Sequence, residues 1–279
     1  MKVRKFKLIN NDGAEYDLTT RSAFLHEPAG LGFSRDTTFQ RLGNTHVILD
    51  DAFAQGEITG QVFFPEPGAY DRYFEFIRFC RNEPIYLLYK PAEREFRRQV
   101  ILSDVGKEEL GPGGLDITVM FKCLTLFYEQ IMLYGDAADA EGGKTYNYRY
   151  DYKYSASSAN TLVINSDSYG ESPCCIYIYG EAVNPVWMHY VNNVLYATGS
   201  LQATIEEGQK LRIDTTEIPY SLTRVDMANR FIADVYGEAD FSTQRFIQLQ
   251  HGVNTISVSH DTATPLTVAM EARILYASV

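Results

Sequence analysis

Cysteine and tryptophan are scarce in this chain: four and one, respectively, in 279 residues. Four cysteines are too few for a disulfide scaffold, and no CxxC pair occurs. Cys174 and Cys175 are adjacent, so in a strand they point to opposite faces. All four are expected to be small buried apolar residues with reduced thiols. The five histidines (His26, His46, His189, His251, His260) never fall at HxH or HxxxH spacing, and no metal site is expected. No apolar run reaches the roughly 18 residues of a membrane span. The N-terminal MKVRKFKLINNDGAEYDL is basic but has no apolar stretch behind it. No signal peptide is therefore expected, and synthesis in a cytoplasm is. Basic charge is also short, with 25 Lys and Arg against 36 Asp and Glu, a net charge of −11. Such a chain is poorly placed to neutralise phosphates, which argues against nucleic-acid partners and anionic membrane surfaces alike.

Catalytic signatures are missing in the same way. Gly199-Ser200 lacks the second glycine of a nucleophile turn. Gly30-Leu31-Gly32 and Gly111-Pro112-Gly113-Gly114 precede strand patterns, not a helix that would cradle phosphate. Carboxylates cluster at Glu206-Glu207 and at Asp234, Glu238 and Asp240. In so acidic a chain such pairs arise by chance and suit turn-rich loops. No enzyme activity and no cofactor are expected.

What is abundant is aromatic: 20 Tyr and 16 Phe. These residues fit pleated, half-buried surfaces, and a mainly β fold is expected. Residues 2–9 and 14–19 flank the turn cluster Asn10-Asn11-Asp12-Gly13 as a strand–turn–strand opening. Residues 28–38 read as a loop, and 39–50 as strand with a break at Gly43-Asn44. Strand signals recur at 56–64, 85–89, 97–104 and 115–127. Between them, 69–82 has helical spacing, with Tyr70, Tyr73, Phe74 and Ile77 as the expected core stripe. Asp71 and Glu75 near its start and Arg78 and Arg81 near its end suit the helix dipole. Pro84 ends it.

Residues 1–130 are thus expected to form an antiparallel β domain with one packed helix. The Ala-, Gly- and Asp-rich stretch 131–146 reads as a linker. Residues 147–279 are expected to be a β-sandwich, with strands near 161–165, 174–179, 186–191, 194–198, 201–206, 210–214, 245–250, 253–259 and 266–276.

The candidate binding residues are aromatic. Tyr146, Tyr148, Tyr150, Tyr152 and Tyr154 alternate in TYNYRYDYKYS, so in a strand their rings share one face. Burial against the sandwich is the ordinary reading. An aromatic platform or partner interface through Tyr148, Tyr150 and Tyr152 is the sharper one. Trp187 carries the same choice between buried anchor and sugar-stacking surface.

Taken in order, KFKLINNDGAEYDL, GLGF at 30–33, GEITGQVFF at 56–64, YFEFIRFCRNEPIYLLYKP at 73–91 and DITVMFKCLTLFYE resemble the N-terminal domain of phage distal tail (Dit) proteins, tail components of phages and prophages of Gram-positive hosts. LVINSDSYGESPCCIYIYGEAVNP at 162–185 and FIQLQHGVNTISV at 246–258 resemble the galectin-like β-sandwich of the longer members. The resemblance implies a structural virion protein that forms a hexameric ring at the tail tip. It implies docking on the major tail protein and on the tail-associated hub protein. It also implies a second domain that holds a receptor-binding protein or touches host saccharide. A saccharide-binding module in 147–279 is the alternative function.

Overall fold

A computed structural model describes residues 4–109, 111, 113–137, 160–240, 242, 244–262 and 265–279. The chain divides into two compact units. One holds residues up to Glu129 together with Tyr276–Val279, the other Gln130–Leu275.

The first unit contains strands β1 (Lys5–Ile9), β2 (Glu15–Asp17), β3 (Phe24–Ala29), β4 (Arg35–Leu42), β5 (Thr45–Phe53) and β6 (Glu57–Pro65). Helix α1 (Ala69–Cys80) follows, then β7 (Ile85–Lys90), β8 (Phe96–Lys107), β9 (Gly114–Cys123) and the first three residues of β10 (Phe127–Tyr134). All pairing is antiparallel, in the row β2-β1-β7-β8-β9-β6-β3. The two ends of the row meet. Thr19 bridges Phe24, and the Leu25 N–H donates to the Leu18 carbonyl at 2.8 Å. The strands alternate as a one-faced sheet must, so Phe6, Leu8, Ile58, Val62, Phe64, Ile117, Val119 and Phe121 are buried.

Helix α1 closes this core with three of the four residues of the expected stripe. Ala69, Phe76 and Cys80 are its buried residues, whereas Phe74 is 58% exposed. Tyr70, Tyr73 and Ile77 are half-buried against the core. The inward face takes Phe76 in place of Phe74, because Tyr16 and Phe64 grip Phe76 at ring-centroid distances of 5.5 and 5.9 Å. The expected strand 115–127 is two strands. Leu124–Leu126 turns a corner there, held by the Gln99 N–H on Thr125 Oγ1 and Arg98 Nε on the Thr125 carbonyl. Residues 131–134, expected in a linker, lie in β10. The end of the chain, expected in the sandwich, returns to the first unit. Tyr276 packs edge-on against Phe96 at 5.4 Å and hydrogen-bonds Arg94.

The second unit holds β11 (Asp136–Ala137), β12 (Asn160–Ser166), β13 (Ser172–Tyr179), β14 (Ala182–Val183), β15 (Val186–Val191), β16 (Val194–Ser200), β17 (Thr204–Ile205), β18 (Gln209–Asp214), β19 (Ser221–Asp226), β20 (Phe231–Asp234), β21 (Gln248–Leu249), β22 (Gly252–Ser259) and β23 (Val268–Tyr276). One antiparallel sheet runs β11-β12-β22-β15-β16. A second runs β23-β13-β18-β19-β20, and β14-β17 and β13-β21 are short side pairs. Each sheet buries one face, which two sheets achieve by packing together. Register fixes the rows of the first: Val258–Trp187–Gly199, Leu162–Ile256–His189–Ala197 and Ile164–Asn254.

Asn254 shows how a short sequence feature sets a turn. Its Nδ2 donates to the carbonyls of Gln250 and Gly252, and its Oδ1 accepts the Gln250 N–H at 2.8 Å. With Nδ2 committed, Oδ1 must also accept from His189 Nε2 at 2.9 Å, so that nitrogen carries the hydrogen. His189 is wholly buried, its Nδ1 has no hydrogen-bond partner, and burial lowers its pKa below the usual 6.5. The folded state then takes up its proton at lower pH than the unfolded state does. Stability from this group is present above about pH 6.5 and is lost as pH falls towards the folded value. Replacing His189 with Gln should flatten part of the decline in melting temperature between about pH 7 and 5. Parallel wild-type and variant pH profiles would refute this.

Candidate assembly surface

The residues expected to bind do not make a site. Trp187 is wholly buried, and its Nε1 donates to the Arg245 carbonyl at 2.6 Å. It is an internal anchor and offers no ring face to a ligand, because Gly199 opposite leaves a slot that the indole fills. Tyr148, Tyr150 and Tyr152, with Tyr146 and Tyr154, lie outside the described residues. All four cysteines are buried and free. Burial pushes Cys80 up to about 12 and Cys175 to about 11, which is the wrong direction for a nucleophile. Asp234 and Asp240 accept the N–H groups of Tyr236 and Ser242 at 2.8 Å, as turn carboxylates do. Among the described residues no His, Cys, Asp and Glu group is placed to hold a metal. No described helix is long and apolar enough to cross a membrane.

The surface that stands out is one the sequence pattern does not mark. β4 and β5 form a two-stranded sheet of their own. Residues 35–38, expected in a loop, are the first half of β4. Gly43, at φ +62°, supplies the turn that the Gly43-Asn44 break signals. Its base is tied by Phe33 edge-on to Phe53 at 5.5 Å, by Arg35 on Asp51 at 2.5 Å and by Thr37 Oγ1 on Asp51 at 3.1 Å. Beyond the base nearly every residue is exposed, on both faces. Phe39 and Ile48 are cross-strand partners, each 57% exposed, and Leu49, the extra residue of a bulge, is 61% exposed. Leu42 and Val47 are exposed as well. An isolated two-stranded ribbon is marginal in water, and one that is apolar on both faces needs a partner. Its two outer edges also leave backbone groups unpaired.

A family model described as "Distal tail protein, N-terminal domain" matches residues 5–124. Residues 5–124 are a domain of the distal tail protein family. The chain is a structural component of a phage tail. No protein with a curated description matches the sequence. Among solved structures, a chain of the phage P2 baseplate in its activated conformation with Ca has a TM-score of 0.68 at 14% identity, each chain covered over 100% of its length. The SPP1 Dit protein, described as a paradigm of hub adsorption apparatus in phages infecting Gram-positive hosts, has a TM-score of 0.64 at 13% identity. The match spans 98% of this chain and 100% of that one. At such identities these two likenesses speak to the fold. The distal tail chain shares that fold over both of its units, and its antiparallel β architecture with one packed helix is that of its neighbours.

Proposed function

We propose that this distal tail protein assembles head to tail into a hexameric ring at the tail tip, with residues 4–129 as the ring-forming part. The ring joins the tail tube, through the major tail protein, to the tail-associated hub protein and the baseplate. The carrying observation is the β4–β5 hairpin, whose apolar side chains and strand edges have no cover within their own unit. In a heterologous interface each copy gives one surface and receives on another, and such contacts form a ring when the rotation between copies closes. The role is structural, with no substrate turned over, and the protein resides in the virion after synthesis in the bacterial cytoplasm. The second unit serves as a galectin-like sandwich that carries peripheral parts. Native mass spectrometry tests the assembly: a species of six times the 31.6 kDa chain is expected, and a single chain at every concentration would contradict it.

One observation favours a second, compatible role for the sandwich, in holding a receptor-binding protein or host saccharide. Tyr220, Phe246 and Tyr236 form a half-exposed aromatic cluster, with Phe246 and Tyr236 stacked at 6.2 Å. Arg245 lies over Tyr236 at 4.8 Å, and Gln248 Nε2 donates to the Tyr220 hydroxyl at 2.9 Å. Aromatic faces edged by polar groups suit either partner.

A further inference from the structure

We infer that the groove beside the β9–β10 corner binds a carboxylate carried on a short apolar stem, with the Arg98 guanidinium as its receptor.

Arg98 stands where the pattern of β8 calls for an apolar residue. Phe96, Arg98 and Val100 share the inward face and all are buried, Arg98 to 4% exposure. A charge in such a place is costly unless an opposite charge meets it. None does. Arg98 Nε donates to the Thr125 carbonyl at 2.7 Å, and the guanidinium lies over the Phe127 ring at 5.0 Å. Among the described residues, Nη1 and Nη2 reach no acceptor and no carboxylate pairs with them. Glu57, close by in the chain, lies on the exposed side of β6 and pairs with Lys122 at 3.8 Å. Burial pushes the neighbouring Cys123 thiol up, so it stays neutral and supplies no counter-charge.

Bracing the corner uses Nε alone. The other two nitrogens belong to a residue that lines a groove of about 380 Å³, a size that suits a small ligand. Gly56 makes room for them. Its carbonyl accepts the Cys123 N–H at 2.9 Å, and a Cβ added to it would collide with Arg98 Nη2. Its backbone is not left-handed, so space and not conformation asks for glycine there.

The lining selects the ligand. A guanidinium fork matches the two oxygens of a carboxylate. The Thr125 hydroxyl accepts the Gln99 N–H at 3.1 Å and keeps its own hydrogen to donate. Arg98 is the one charge among the described lining residues, which balances a single negative charge and not a phosphate dianion. Phe53, Leu124 and Leu126 offer apolar wall to a carbon stem. A glutamate side chain of another protein and a free short-chain acid share this chemistry.

Scanning calorimetry of the full chain tests the site, with butyrate, N-acetylglutamate amide, phosphate and chloride at matched ionic strength. One or both acids are expected to raise the melting temperature saturably. The rise should be lost in Arg98→Met and weakened in Arg98→Lys, which keeps the charge but not the fork. A response to the capped glutamate alone assigns the source to a protein side chain, and a response to butyrate alone to a free acid. A response to both shows that stem and carboxylate suffice. No saturable rise with either acid, an equal rise in either variant, or an equal rise with phosphate would overturn the site.

Discussion

Phe39→Glu combined with Ile48→Glu is expected to reduce the ring to single chains while leaving the fold untouched. The two residues face each other across the hairpin and are each 57% exposed, so neither contributes to a core within the chain. Exposed substitutions of this kind shift stability by about 0.5 kcal/mol or less. In the assembly, the same positions would place two unpaired carboxylates in a buried contact, a cost of about 3–5 kcal/mol at each interface. The cost repeats at each interface around the ring. Sedimentation velocity should therefore show the variant at the single-chain position at concentrations where the wild type is assembled. Circular dichroism and the denaturation midpoint should be unchanged. A variant that sediments as the wild type does would remove the hairpin from the interface.

The second large effect belongs to the sandwich. Trp187→Ala should cost about 3–5 kcal/mol, since it empties an indole-sized space in a close-packed interior. It also removes the hydrogen bond that Nε1 donates to the Arg245 carbonyl. Gly199 faces this ring across the β15–β16 pair, and a Cβ added there would stand 2.4 Å from the indole. Gly199→Ala should itself cost about 1–3 kcal/mol by overpacking. Because both act on one space, their effects should not add. Gly199→Ala in a Trp187→Leu background should cost less than it does alone. Trp187 is the only tryptophan of the chain, so emission reports this unit selectively. Wild-type emission should be blue-shifted and resistant to iodide quenching, moving red on unfolding. Ready quenching in the folded state would show that the ring is not buried.

Much of this architecture is legible in the sequence where its period is unbroken. Strands such as β6, β12 and β22 alternate cleanly, and all three match their expected spans within a residue or two. β3 is hidden by Pro28 and by an irregularity between His26 and Ala29, which leave Leu25 as its one buried residue. β19 is hidden by a bulge between Arg224 and Val225, and its buried Leu222 and Val225 are spaced by three instead of two. The stretch 201–206 reads as a strand, but only Thr204–Ile205 is one, with Leu201 bridging Ala239 instead. In α1 the apolar residues outnumber the buried ones. A stripe can be drawn through Phe74 as easily as through Phe76, and only the packing of Tyr16 and Phe64 decides.

The candidate surface is less legible for a related reason. Alternation marks a strand with one face buried in its own chain. The β4–β5 hairpin buries neither, and its apolar residues fall on both faces and on a bulge. What a sequence does offer at such a place is the turn, here Gly43-Asn44. Phe39, Leu42, Val47, Ile48 and Leu49 flank it, an apolar content beyond the needs of the hairpin's own fold. Trp187 shows the converse. A lone tryptophan draws attention as a binding residue. Its packing partner Gly199 lies on the next strand, directly opposite, and the pairing becomes visible only in the register of β15 and β16.

Negative-stain electron microscopy of the purified chain tests the central claim most directly. Six-fold rings with an open centre, with the sandwich units as lobes at the rim, are the predicted result. They should be lost in the Phe39→Glu, Ile48→Glu variant. Particles of another symmetry, or rings that persist in that variant, would contradict the account.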